Sequence, residues 1–350
     1  MKTIDKIKEL KTKLGSKVLI PAHHYQSPEV VVLADFVGDS YKLAVDCSRK
    51  KSEFILFCGV RFMAEGAEIL SEADQKILLP DLTAGCPLAD HIDGKQMEDV
   101  INDIANRTKE KITPVVYMNS SSEVKETCGK FNGSVCTSSN AKKIVEYYFE
   151  RGSSVFFAPD YNLGINTARE LGLAENAIIK VKKDGSFTSD NLADSHKIFI
   201  WDGNCHVHKR FLMNDLEDFR EKYETGKIIV HPECDEEIVS VADISGSTAK
   251  IYEEIKNSPT GSIWGVGTEF HFVERIAQEF PNKTVVPIRK SICGNMAKIN
   301  LENLYETLNN IVQFIDGKAK LKNQIKIDEN KKVNARRSLE KMIEIASRVL

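Results

Sequence analysis

The chain has 350 residues, 42% of them hydrophobic and 28% charged, with a formal net charge of −3. That length and balance support two or three domains with substantial cores and exclude a disordered chain. Basic residues scattered along a nearly neutral chain exclude an electrostatic footprint for nucleic acid or an anionic membrane, so small molecules are the expected partners.

Near the start, IDKIKELKTKL sets Ile4, Ile7, Leu10 and Leu14 on one face of a helix. The segment resembles neither a signal peptide nor a membrane span, which leads us to expect a cytoplasmic protein. Beyond it, short apolar runs at 18–20, 54–57, 77–79, 115–117, 155–157, 198–201, 228–230, 263–265 and 285–287 alternate with helical patterns. Runs this short and apolar suit strands buried on both faces, and their alternation with helices predicts parallel sheets. From Ile327 onward, Val333, Ala335, Leu339, Met342 and Ile345 recur at roughly helical spacing and predict a helix that closes the fold.

One pattern occurs three times. The copies read KVLIPAHHY, FVGDS, FILFCGV and KILLPDLTAGC; then TPVVYMNSS, VCTSS, SVFFAPD and KIFIWDGNC; then KIIVHPEC, ISGST, SIWGVGTE and TVVPIRKSIC. Counted from His23, Asn119 and His231, the terminal cysteines Cys86, Cys205 and Cys293 fall 63, 86 and 62 residues later, which puts an insertion in the middle copy. The expected fold is α/β, with three αβα domains of βαβ type at residues 1–92, 93–212 and 213–350. A pseudo-threefold axis would relate their parallel sheets and place the active site at the junction. The three cysteines would then converge on a three-thiolate metal site with a vacant position.

Parallel sheets present ligands at the carboxyl ends of their strands. His23, His24 and Tyr25, then Tyr117 and Asn119, then His231 and Glu233 all come directly after strand runs. A second set of polar residues precedes predicted helices: Ser40, Ser138 with Ser139, and Ser247 with Thr248. Each is expected at an N-cap, where free backbone N–H groups and the helix dipole stabilise an anion. Eight cysteines in a chain of this kind point to metal binding or reduced thiols rather than a disulfide framework. Cys47, Cys58, Cys128 and Cys136 read as buried or incidental thiols, while Cys234 in HPEC stands beside the expected site. Cys205, His206, His208, His231 and Cys234 also permit a zinc reading, although they lack common zinc-module spacing. His91, His196 and His271 carry no motif.

The segments AHHYQSPEV, ADFVGDSYKLA, DLTAGCPLAD, YMNSSSEVK, VCTSSNA, GNCHVHKRF, HPEC, GSTAKI, GTEFHFVER and CGNMAKINLENL together resemble the quinolinate synthase family over essentially the whole chain. The resemblance implies a [4Fe–4S] cluster held by Cys86, Cys205 and Cys293, three thiolates where clusters ordinarily take four. It implies condensation of iminoaspartate with dihydroxyacetone phosphate, with L-aspartate oxidase or aspartate dehydrogenase as the upstream enzyme. It places His208 in the active site. For that chemistry Glu233 is the expected acid/base, its pKa raised by a closed cleft, with His231 and Tyr25 assisting. His23, Ser40, Tyr117, Asn119, Ser138, Ser247 and Thr248 are expected to bind substrate. His24, Tyr161 and Ser139 depart from the family pattern, and His24 is expected to alter how the cleft holds a carboxylate. A zinc or mononuclear-iron enzyme and a non-catalytic metabolite-binding protein remain as rivals.

Overall fold

The computed structural model describes residues 2–189, 192 and 198–348. His196 lies outside the described residues. All nine apolar runs form strands, and every strand pairing is parallel.

In the first copy, β1 (Val18–Leu19) and β2 (Pro21–His23) form one interrupted strand. β3 (Phe36–Gly38) flanks it on one side, with β4 (Phe54–Leu56) and then β5 (Lys76–Leu78) on the other. A parallel bridge from Ala22 to Cys58 ties the two pieces together. In the second, β6 (Ile112–Tyr117), β7 (Ser134–Cys136), β8 (Ser154–Ala158), β9 (Ile178–Val181) and β10 (Ile198–Trp201) take the order β7-β6-β8-β10-β9. In the third, β11 (Lys227–Val230), β12 (Ile244–Ser245), β13 (Ile263–Gly267) and β14 (Thr284–Pro287) take the order β12-β11-β13-β14.

Each sheet therefore reads second, first, third, last. The extra edge strand β9 and its connections account for the longer spacing in the middle copy. Cys86, Cys205 and Cys293 follow the last strands β5, β10 and β14, whereas His23, Tyr117 and His231 close or follow the first strands. The two-sided burial expected of such strands is complete in β6, β8 and β10, where every residue is buried.

The N-terminal helix Thr3–Leu14 buries Ile7 and Leu14 and packs against the helix Leu301–Ile315. The expected C-terminal helix spans Glu329–Ser347 and lies chiefly on the helix Ser122–Lys130, with further contacts to Arg61–Leu70 and β7. Its buried stripe is Ala335, Ser338, Leu339, Met342 and Ile345. Val333 does not belong to it: two residues before Ala335, it sits on the other side of the helix and is 62% exposed. The two helices meet closely at Gly129, where an added Cβ would lie 1.9 Å from the Asn334 carbonyl oxygen. Backbone cannot yield there as a flexible side chain would, so we expect Gly129→Ala to destabilise the protein by about 3 kcal/mol, the upper range for overpacking. Urea unfolding checks this, with an unchanged midpoint as the contrary result.

Candidate active site

The carboxyl ends of the three sheets share a cavity of about 60 Å³. Cys86, Cys205 and Cys293 all line it. So do His23, Tyr25, Ser40, Tyr117, Asn119, Ser138, His208, His231, Glu233 and Thr248. Of the residues expected to carry the chemistry or bind substrate, Ser247 does not line it.

The helix starts explain that exception. Ser247 is the N-cap of the helix Thr248–Asn257, and its Oγ accepts from Lys250 N at 3.3 Å. Its hydroxyl is thus used by its own helix, leaving Thr248 to face the cavity. Ser40 is no cap: Asp39 fills that place and accepts from Lys42 N at 2.8 Å, a carboxylate being the stronger acceptor. Ser138 and Ser139 precede the cap position, which is Asn140, whose Oδ1 accepts from Thr137 N at 2.7 Å. Ser40 and Ser138 therefore keep their hydroxyls free of capping duty at the cavity wall.

The first and third copies make the same turn after their first strand. Tyr25 N donates to His23 Nδ1 at 3.2 Å, and Glu233 N donates to His231 Nδ1 at 3.3 Å. Burial, the larger effect, pushes both imidazoles down to about 3. A neutral imidazole that accepts at Nδ1 carries its proton on Nε2. Both rings are therefore locked as Nε2–H donors.

Glu233 is the centre of the site. Its carboxylate accepts from the Tyr117 hydroxyl and lies 2.9 Å from His208 Nδ1. His208 Nε2 stands 3.0 Å from Thr268 Oγ1, which in turn is 2.7 Å from the Tyr25 hydroxyl. The ring of His231 stacks on that of His208, with centroids 4.6 Å apart. This corrects the expected ionisation. Burial alone would raise the carboxyl, but His208, His231 and the Tyr117 hydroxyl outweigh it and hold Glu233 well below the usual carboxylate range. Glu233 is an anion and a base, and it is no proton donor at rest. The donors are Tyr25 and Tyr117, whose phenols burial pushes well above their ordinary value.

Thr268, the link between His208 and Tyr25, was missed from sequence because GTEF offers only a small hydroxyl after a strand. Asp160 was missed as well. Wholly buried, it caps the helix Tyr161–Glu170 through Leu163 N at 2.7 Å. Burial raises its carboxyl, Glu233 nearby raises it further, and the backbone of Cys205 is among its donors.

The three cysteine thiols are pushed up chiefly by burial; Cys293 and Glu233 add to this at Cys86, Glu233 and Cys86 at Cys205, and Glu269 and Glu233 at Cys293, and Cys86 reaches about 12. Among the described residues, no Lys or Arg lines the cavity. Three thiolates could form here only around a cationic metal group, so this donor set fits one. Among the described residues, the set whose ligand atoms all lie within 4.8 Å of one another is Cys205, His208 and Glu233. Cys86 and Cys293 do not join that set.

The remaining sequence candidates lie elsewhere. Cys234 is buried beside β13, its thiol 3.7 Å from Gly267 O. His24, expected in the cleft, turns away and its Nδ1 meets Arg275 Nη2 at 2.9 Å. Tyr161 supports Lys180, whose Nζ lies 4.2 Å from its ring centroid. Ser139 Oγ is 2.8 Å from Thr137 Oγ1.

These features define a parallel α/β protein with three cysteines and a buried acid–base network around one cavity. Comparison with known proteins narrows that class. The family described as Quinolinate synthetase A protein matches residues 5–344. The chain is 41% identical over 345 residues to the quinolinate synthase of Streptomyces coelicolor, covering 95% of this chain and 86% of that protein. It is 41% identical over 348 residues to that of Listeria monocytogenes, covering 98% and 93%, and 38% identical over 342 residues to that of Geobacillus kaustophilus, covering 96% and 92%. The chain belongs to the quinolinate synthetase A family.

The two neutral histidines make a pH prediction. They gain protons on unfolding, so the metal-free protein loses stability as pH falls below their ordinary value of 6.5. Together they set a slope of up to about 2.7 kcal/mol per pH unit. Glu233, held low when folded, acts in the same direction only below about 4.5. Urea unfolding between pH 8 and 5 should show the slope, and replacing His23 and His231 together by Gln should flatten it. An unchanged slope in that double variant would contradict the assignment.

Proposed function

We propose that this chain is a quinolinate synthase, condensing iminoaspartate with dihydroxyacetone phosphate to quinolinate in NAD biosynthesis, with loss of one phosphate and two waters. One observation carries the reading: the cysteines that follow the last strand of each sheet line the same cavity as Glu233, Tyr25 and Tyr117. We assign residues 1–92, 93–212 and 213–350 as its three domains, a division supported by the shared strand order. We place the enzyme in the cytoplasm and expect L-aspartate oxidase or aspartate dehydrogenase to supply its iminoaspartate.

Cys86, Cys205 and Cys293 would hold the [4Fe–4S] cluster. Its uncoordinated iron would supply a Lewis acid that helps a substrate hydroxyl leave as water. The chain supplies the rest. Ionised Glu233 takes a proton from the condensing substrates, oriented by Tyr117 and His208. His208 and Thr268 connect Glu233 to Tyr25, so a proton accepted at one end of this row can be replaced at the other, and Tyr25 can donate to a developing oxyanion or leaving hydroxyl. His23 and His231 donate from Nε2 to substrate oxygens. Ser40, Ser138 and Thr248 hold phosphate, with Ser247 keeping the helix that presents Thr248. Tyr117 and Asn119 hold a carboxylate. Among the described residues, buried Asn119 Oδ1 has no hydrogen-bond partner, which supports a ligand contact there.

The proximity of Cys205, His208 and Glu233 favours a second reading, a mononuclear zinc or iron site. It is the weaker one: His208 and Glu233 already satisfy each other, and Cys86 and Cys293 would have no role. One experiment separates the roles of the residues. After anaerobic purification, Cys86→Ser, Cys205→Ser or Cys293→Ser should each lose iron and sulfide, while Cys47→Ser, Cys128→Ser and Cys136→Ser keep them. Glu233→Gln should retain the cluster and lose about 10²–10⁴-fold in turnover, the usual contribution of an acid–base group. Full iron content in a ligand variant, or near-normal turnover in Glu233→Gln, would overturn the corresponding assignment.

A further inference from the structure

Lys125 breaks three rules of stability at once. It is fully buried, with 0% exposure. Its Nζ donates to Met118 O at 2.9 Å, to Ser120 O, and to Ser120 Oγ at 3.4 Å, and none of these belongs to a carboxylate. It also lies in the first turn of the helix Ser122–Lys130, where the dipole repels a cation. Buried lysines are rare unless paired, and a charge placed against both burial and dipole points to a functional cause.

Its surroundings supply one. The oxygens it gathers belong to the turn directly after β6, which carries Tyr117 and Asn119 into the cavity. The same turn is drawn together by Ser120 Oγ donating to Tyr117 O at 2.8 Å and by Ser120 N donating to Met118 O at 2.8 Å. The carbonyl oxygens of Met118 and Ser120 and the Ser120 hydroxyl converge on Nζ, and a cation among them offsets their mutual repulsion. The Phe62 ring, itself at the cavity wall, covers the ammonium at 5.7 Å. Glu65 stands nearby but is engaged by Arg61 at 3.0 Å and by Ser122 N at 3.0 Å. Burial, the largest influence, brings Lys125 down to about 8, against the opposing fields of Glu65, Cys128 and Cys86.

We propose that Lys125 is a positioning residue, a fixed internal cation that holds the turn at 117–120 so that Tyr117 and Asn119 meet the carboxylate-bearing substrate. The proposal rests on the quinolinate synthase reading for the identity of that substrate. Lys125 touches no reacting atom. It acts through the two side chains that do, in a cavity lined by no Lys or Arg among the described residues.

The test compares Lys125→Met, which keeps the volume and removes the charge, with Lys125→Gln, which keeps an N–H donor. Both are purified anaerobically, with iron, sulfide and unfolding midpoint measured beside the wild type. We expect iron and sulfide at the wild-type level and a KM for iminoaspartate raised about tenfold or more in the Met variant, the loss expected of a hydrogen-bonded charge. The rise should be smaller in Gln. KM for dihydroxyacetone phosphate should stay within about twofold, and kcat should fall less than KM rises. Amide hydrogen exchange at residues 117–120 should accelerate in both variants. If Lys125→Met does not fold, Ser120→Ala, which removes one contact to Nζ, should shift KM and exchange the same way by less. A lowered unfolding midpoint with unchanged KM and unchanged exchange at 117–120 would overturn the proposal and leave Lys125 a packing residue. A wild type that makes no quinolinate would instead overturn the function, and exchange at 117–120 alone would then decide the positioning role.

Discussion

The site depends on keeping one carboxylate ionised where water cannot solvate it. Glu233 is 2% exposed, so burial by itself would neutralise it. Its charge survives because Tyr117 donates from the second sheet and His208 reaches it from the loop after β10. Removing any one partner leaves an under-satisfied buried charge, and such networks lose more than the sum of their separate contacts. The three sheets are thereby tied to one another by polar contacts as well as packing. Tyr25 from the first, Tyr117 from the second and Thr268 from the third lie on one continuous row of hydrogen bonds.

The same logic explains the scarcity of cations at the cavity wall. A permanent Lys or Arg would stabilise the thiolates and compensate Glu233 without any metal, and would hold anionic ligands indiscriminately. Donors here are neutral instead: two Nε2–H imidazoles, two phenols and a set of hydroxyls. Positive charge is kept one layer behind, as Lys125, where it shapes the backbone. Binding of anions then depends on geometry and on the metal group the thiols would hold, which favours discrimination over strength.

Much of this was legible in the sequence because the fold is repeated. The triplicate pattern gave nine of the strands, the cavity-facing ends of the first strands and the three cysteines, since strand-end residues in parallel sheets must face one side; the short strands β2, β3, β7 and β12 fall outside the nine apolar runs. The insertion in the middle copy was legible as a long spacing, but β9 was not, because IIKV resembles the other apolar runs only once its neighbour β10 is known. The failures have a common cause. Whether Ser40 or Asp39 caps a helix, whether Ser247 faces the cavity, and which way His24 turns are each settled by partners distant in sequence or by competition between adjacent oxygens. The ionisation of Glu233 was misread because the sequence shows that a carboxyl is in a cleft, but not that a tyrosine and two histidines surround it. Lys125 gave no signal, as a lysine in a helical pattern reads as solvated.

The central claim is that three thiols and one buried carboxylate serve a single condensation, and the most direct measurement is on the unmodified protein purified without oxygen. Iron and acid-labile sulfide are determined per chain, and the same sample is then given iminoaspartate and dihydroxyacetone phosphate. The account predicts about four irons and four sulfides per chain, together with quinolinate and phosphate in equal amounts. A single zinc or iron without sulfide, or a fully loaded protein that releases no quinolinate, would contradict it.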